Sequence, residues 1–256
     1  MNIFLYFLLI ILVSSDTYSQ SEVKIGNQIW MTKNLDVDRF RNGDKIFYAK
    51  NKDEYVKACQ KQVPAYTYYQ FDDKNGRLLG KLYNVYAVND NRQLSPVGYH
   101  IPSQSEFIEL QLTYGDITTE KITSILKSDF GWLPYNILVP TECQICNGYG
   151  SVTGDPYKCL MKCTNCKGPQ EKTVNGNGSN NSGFKGLAGG YISGSGFADI
   201  GKSGFFWCST TSYSKMQGQC NYYFLLSNAA FLMSTMTKLE CNSTVGYSVR
   251  CIKNAQ

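Results

Sequence analysis

Gly204-Phe205-Phe206-Trp207-Cys208-Ser209-Thr210 is a run of strand length, opened by glycine and dense in aromatic side chains. Such residues fit a pleated, packed surface better than a helical one. Similar runs surround it at Gly183 to Gly190, Tyr222 to Leu226, Ala229 to Met233, and Gly246-Tyr247-Ser248-Val249-Arg250-Cys251-Ile252-Lys253-Asn254. Together they predict an antiparallel sheet built mostly from the C-terminal third of the chain.

The rest of the chain extends this pattern. Its 256 residues include 19 tyrosines, 13 phenylalanines and 23 glycines, and 18% are charged, which suits many short strands joined by glycine turns better than a helical bundle. Val23-Lys24-Ile25-Gly26-Asn27-Gln28-Ile29-Trp30-Met31 offers two alternating arms around Gly26-Asn27, the mark of a two-residue hairpin. Thr32 to Asp36 and Asn42-Gly43-Asp44 read as loop, and residues 63 to 88 as strands alternating with tyrosine-rich loops. Two short helices are predicted. One starts at the capping box Ser103-Gln104-Ser105-Glu106 and stops at Gly115, and the other spans Thr119 to Lys127 with Ile122, Ile125 and Leu126 on one face. The fold class is therefore α+β, mainly β.

Residues 1–20 read as a signal peptide, an apolar core of about a dozen residues followed by Ser14, Ser15 and Ser19. That core is shorter than the ~20 residues a membrane span needs, so no span is expected after cleavage. Export predicts a secreted or cell-surface protein, and ten cysteines suit that setting. Cleavage removes one acid, Asp16, and no base, taking the formal charge from +5 to +6. The basic residues form no blocks, so nucleic acid is not an expected partner.

Residues 21–256 read as one domain interrupted by a Cys-rich insert at 141–169 and a flexible Asn/Gly/Ser loop at 170–183. The insert carries Cys143-Gln144-Ile145-Cys146 and Cys163-Thr164-Asn165-Cys166. Two Cys-x-x-Cys turns supply the four thiolates of a closed tetrahedral Zn²⁺ site, and two disulfides closing the same loop are the other reading. The knuckles, with Gly148, Gly150 and Gly168 behind them, resemble the zinc repeats of the J-domain co-chaperones. Cys159 lies between the knuckles, where three readings stay open: it replaces a ligand, pairs with Cys59, or stays free. Cys208, Cys220, Cys241 and Cys251 fall in the predicted sheet, where Cys208–Cys251 with Cys220–Cys241 is one of three possible pairings.

Catalytic constellations are sparse. His100 is the only histidine, which removes most nucleophile–base mechanisms, and it reads as a structural residue at the entry to the capped helix. Asp36 with Asp38 and Asp72 with Asp73 read as solvated loop carboxylates. Tyr66, Tyr68, Tyr69, Trp132, Tyr135 and Tyr213 fall in predicted loops and are the candidate rings for stacking on a sugar.

Five segments in order carry a resemblance over residues 23 to 254: Ile25 to Leu35, Gly80-Lys81-Leu82-Tyr83-Asn84-Val85-Tyr86-Ala87-Val88, Pro96 to Ser103, Gly204 to Trp207, and Gly246 to Cys251. They resemble the Fibrobacter succinogenes major paralogous domain, found in secreted or surface proteins of Bacteroidetes-like bacteria. The resemblance implies C-type-lectin-like antiparallel sheets, into which the zinc-ribbon-like module is inserted. Thr67 and Ser95 stand where the family pattern has cysteines, so its disulfides do not carry over. The resulting expectation is a non-catalytic binding module for polysaccharide or a surface protein, with structural zinc in the insert. Two alternatives stand beside it: an enzyme with a reactive cysteine, since the formylglycine-generating proteins use a related fold, and a structural part of a surface assembly.

Overall fold

The computed structural model describes residues 21–115, 118–139, 170–215, 218–228 and 236–255. The predicted hairpin is present as β1 (Glu22–Ile25) and β2 (Gln28–Met31), turning at Gly26-Asn27. Next come β3 (Phe47–Tyr48), α1 (Lys52–Gln60) and β4 (Ala65–Thr67), then two 3₁₀ turns at Tyr69–Phe71 and Asp73–Asn75. The chain continues through α2 (Gly76–Leu79), β5 (Leu82–Asn84), α3 (Val85–Val88) and β6 (Tyr99–His100) to α4 (Gln104–Leu112) and α5 (Thr119–Leu126). A hairpin of β7 (Tyr135–Val139) and β8 (Gln170–Val174) follows. The last seven strands are β9 (Gly189–Ser193), β10 (Gly196–Ile200), β11 (Ser203–Ser214), β12 (Gly218–Ser227), β13 (Met236–Glu240), β14 (Gly246–Tyr247) and β15 (Ile252–Lys253).

A nine-stranded sheet runs β13-β12-β11-β9-β14-β5-β4-β3, with β10 paired to β9. It reaches into the N-terminal half through β5, β4 and β3, and two of its pairings, β11–β9 and β3–β4, are parallel. The expected antiparallel sheet of the C-terminal third is thus part of a larger mixed sheet. A four-stranded sheet, β1-β2-β15-β6, brings the two ends of the described chain together.

The quoted aromatic run sits in β11 and is buried on both faces. Phe205 and Trp207 enter one apolar cluster with Tyr83, Val249 and Cys251, while Phe206 and Cys208 enter another with Trp30, Phe107 and Phe224. Successive side chains point to opposite faces, so a strand with a core on each side reads as continuous apolar sequence. Truncating Phe206, which is fully buried, would cost about 3–5 kcal/mol.

Five α-helices lie among the described residues, not two. The two predicted helices are α4 and α5, and Ser103 and Glu106 form the reciprocal capping box. The helix left unread, α1, is capped by Asn51, whose Oδ1 accepts from Glu54 N at 2.9 Å while Glu54 Oε2 accepts from Lys50 N at 2.8 Å. Its Tyr55, Ala58 and Cys59 are buried. α2 and α3 are single turns. The polar run at 170–183 is also not all loop, because 170–174 form β8 through cross-strand pairing with 135–139. The rest is anchored: Gly178 N donates to Ser128 O at 2.8 Å and Ser182 Oγ to Ile125 O at 2.7 Å. The cysteine module at 141–169 and the strand predicted at Ala229–Met233 lie outside the described residues.

Candidate functional site

The chain leaving β2 runs from Thr32 to Asp38 without regular structure, as the loop-like composition of Thr32 to Asp36 predicts. It is held by backbone bonds, Met31 N to Cys251 O at 3.0 Å and Leu35 N to Val249 O at 2.8 Å. From the other side Lys81 N donates to Leu35 O at 3.1 Å, and Asn34 Nδ2 donates to Leu79 O at 2.8 Å. Gly80 makes this approach possible: its φ is +73°, and a Cβ there would stand 2.8 Å from Leu35 O. Between this segment, the α2 turn and Lys185 lies a groove of about 740 Å³.

Behind the groove Arg250 is fully buried. Its Nε and Nη2 donate to Asn34 Oδ1 at 3.1 and 2.6 Å, Nη1 donates to Met31 O at 3.2 Å and to Phe184 O, and Nη2 reaches Lys185 O at 3.3 Å. The guanidinium carbon lies 4.7 Å from the centroid of the Phe184 ring. Burial pulls its pKa down from the usual arginine value. Asn34, Met31 and Lys185 all line the groove, so this cation fixes the groove floor.

An aromatic cluster packs behind Gly76. Tyr48 stacks on Tyr66 at 5.2 Å between centroids, and Tyr68 meets both edge-on at 5.5 and 5.9 Å. Lys81 Nζ lies 4.7 Å from the Tyr66 centroid and 5.3 Å from that of Tyr68, an arrangement in which ring faces attract a cation. The same ammonium pairs with Asp36 Oδ1 at 2.8 Å and donates to Asp36 O at 2.7 Å. Gly76, a groove residue, lies flat against Tyr68, since a Cβ there would stand 2.3 Å from Cε1 of that ring. Burial, with help from Asp36, pushes the Tyr68 hydroxyl pKa up to about 12, so it stays a neutral donor and acceptor.

The candidate rings divide accordingly. Tyr68 is half-buried behind the groove residue Gly76 and does not itself line the groove, whereas Tyr66, with rings on three sides, and Tyr69, against Phe197, belong to buried clusters. Trp132 is buried too, its Nε1 donating to Ser128 Oγ and Gly186 O at 3.1 Å each, with Lys127 Nζ 4.9 Å from its ring. Tyr135 lies half-buried on β7. Tyr213, 77% exposed, projects near the end of β11, away from the groove lining. Asp36, read as a solvated loop acid, is exposed in a loop and also pairs with the buried Lys81.

Cys220 and Cys241 form a disulfide between β12 and the residue after β13. Cys208 and Cys251 do not pair, because they point into the two separate cores on either side of the sheet. Burial raises the pKa values of the Cys208 and Cys251 thiols, and likewise that of Cys59. Cys143, Cys146, Cys163 and Cys166, and Cys159 with them, lie outside the described residues; among the described residues no three His, Cys, Asp or Glu side chains group to hold a metal. His100 bridges Glu106 Oε1 at 2.7 Å and Asn254 Oδ1 at 2.8 Å, linking the capped helix to the C-terminal segment. No helix among the described residues is long and apolar enough to cross a membrane.

Sequence reading missed the groove because its parts are distant in the chain. Only the motif segments Ile25–Leu35, Gly80–Val88 and Gly246–Cys251 hint that they meet. The family model described as the Fibrobacter succinogenes major domain matches residues 23–253. No curated protein and no solved structure matches the chain.

Proposed function

The chain belongs to the Fibrobacter succinogenes major domain family, and from that premise we propose that it is a secreted or cell-surface, non-catalytic binding module that seats a polysaccharide in the groove beside Phe130. The observation that carries the reading is the groove itself. It joins an exposed ring at Phe130, hydroxyls at Ser21 and Thr32, and carboxylates at Asp36 and Asp38, the mixture that grips the apolar faces and hydroxyl edges of a sugar. Buried thiols with raised pKa values, at Cys59, Cys208 and Cys251, favour binding over thiolate catalysis. The Cys220–Cys241 disulfide supports export by the N-terminal apolar segment. The pairing of chain ends through β2 and β15 supports the C-type-lectin-like arrangement that the resemblance implies.

The same reading makes the insert a structural zinc clip. In the β7–β8 hairpin Val139 pairs with Gln170; Cys143 stands four residues beyond Val139 and Cys166 four residues before Gln170. Cys146 and Cys163 stand seven residues from the same pair. The knuckles are therefore symmetric about the hairpin register, a placement that favours one shared tetrahedral ion.

Affinity electrophoresis of the full chain through gels containing neutral or acidic polysaccharides tests the binding claim. At least one polysaccharide should retard the chain, and Phe130→Ala should weaken that retardation by about tenfold, the loss of one stacking contact worth about 1.4 kcal/mol. Retardation unchanged in Phe130→Ala, or none by any polysaccharide, would contradict it.

A further inference from the structure

The charge around the groove is one-sided. Lys33, Arg39, Arg77 and Lys185 line it with exposed side chains, and none of the four makes an ion pair with a described carboxylate. Against them stand Asp36 and Asp38, and Asp36 is already neutralised by Lys81 at 2.8 Å. Arg250 adds a fifth cation behind the floor; its partners are the Asn34 side chain and three backbone carbonyls, with no carboxylate among them. A concave surface of one sign focuses its field on an entering ligand.

We propose that the groove selects acidic polysaccharides, those bearing carboxylate or sulfate groups on their sugar rings. This rests on the polysaccharide-binding reading and names the ligand class. Arg39 and Arg77 offer planar forks that match carboxylate or sulfate oxygens, while Lys33 and Lys185 act as point charges. A phosphate polymer is disfavoured by Asp38, which lies in the same groove and would face a charge at every nucleotide. An acidic glycan spaces its charges a ring or more apart and presents hydroxyls between them, from which the Asp36 and Asp38 carboxylates can accept hydrogen bonds. Leu78 and Phe130, 55% and 45% exposed, leave apolar surface at the rim for the ring faces.

Two matched pairs of probes test the proposal: polygalacturonate with its methyl ester, and dextran sulfate with dextran. The full chain should bind one acidic member at least about tenfold more tightly than its neutral partner. Arg77→Gln and Lys185→Gln should each weaken that binding by about threefold to fivefold and flatten its salt dependence. Lys57→Gln, on the exposed face of α1 and outside the groove, should leave it unchanged. Equal binding to the acidic and neutral members overturns the acidic selectivity while the polysaccharide reading stands. A loss in Lys57→Gln equal to that in Arg77→Gln also overturns it, as does polyglutamate binding with the same affinity and the same variant sensitivity. Failure to bind any polysaccharide removes the functional reading itself.

Discussion

The Arg250 guanidinium clasps the Asn34 side chain through two hydrogen bonds to one oxygen, at 3.1 and 2.6 Å. The contact joins residues 216 positions apart and ties the segment after β2 to the segment between β14 and β15. Because both groups are buried, removing either leaves polar atoms with no water to replace the lost partner. Arg250→Met should lower the unfolding free energy by about 3 kcal/mol or more, and Asn34→Ala by about 2 kcal/mol, read from urea denaturation. The double variant should lose less than the sum, since the two share one network. Additive losses would mean that the pair does not work as a unit.

The His100–Glu106 contact sets a pH window. Hydrogen bonding to Glu106 raises the His100 pKa above 6.5, so its contribution is fully present below that pH and is lost as pH rises through the raised value. Burial works against the Glu106 carboxylate, but hydrogen bonds from His100 and Ser103 outweigh it and lower the pKa below 4.5. That contribution is present above pH 4.5 and is lost as pH falls through the lowered value. The pair therefore stabilises most between about pH 4.5 and 6.5. Thermal melts across pH 3–9 should show Glu106→Gln losing most in that window, and an even loss at all pH values would contradict the pairing.

Thiol chemistry separates the cysteines. Without reductant, Cys59, Cys208 and Cys251 should resist alkylation in the folded chain and react once it is unfolded. Cys220 and Cys241 should react only after reduction. Cys220→Ser with Cys241→Ser should cost about 3 kcal/mol, the scale expected when a loop of this size is opened. Peptide mapping that finds Cys208 bonded to Cys251 would contradict the two-core arrangement.

Metal content tests the clip. The purified full chain should carry about one zinc per molecule, lost in Cys143→Ser and Cys163→Ser. If the insert only holds a loop in place, those variants should keep the unfolding midpoint of the main domain within a few degrees. A zinc-free chain whose knuckle cysteines are disulfide-bonded would contradict the reading.

Local features were legible in the sequence. The Gly26-Asn27 turn, the Ser103–Glu106 capping box and the β11–β12 strands rest on neighbouring residues, and the structure forms each of them. The Asn51-Lys52-Asp53-Glu54 signal of α1 was equally local but passed unread. What short-range pattern cannot carry is placement. Tyr66, Tyr68 and Tyr69 are near neighbours in sequence, yet Tyr68 packs behind the groove residue Gly76 while Tyr66 and Tyr69 are buried in two different apolar clusters. The Cys208–Cys251 pairing failed for a similar reason, since the face of each cysteine depends on the register of distant strands.

Hydrogen–deuterium exchange on the full chain, with and without the polysaccharide that retards it most, tests the central claim directly. Binding in the groove should slow exchange at residues 32–39 and 76–81 and leave the second concavity, around Gln62, Glu240 and Asn242, unchanged. Protection confined to that second concavity or to the β11–β12 hairpin around Tyr213, with none at 32–39 or 76–81, would contradict it.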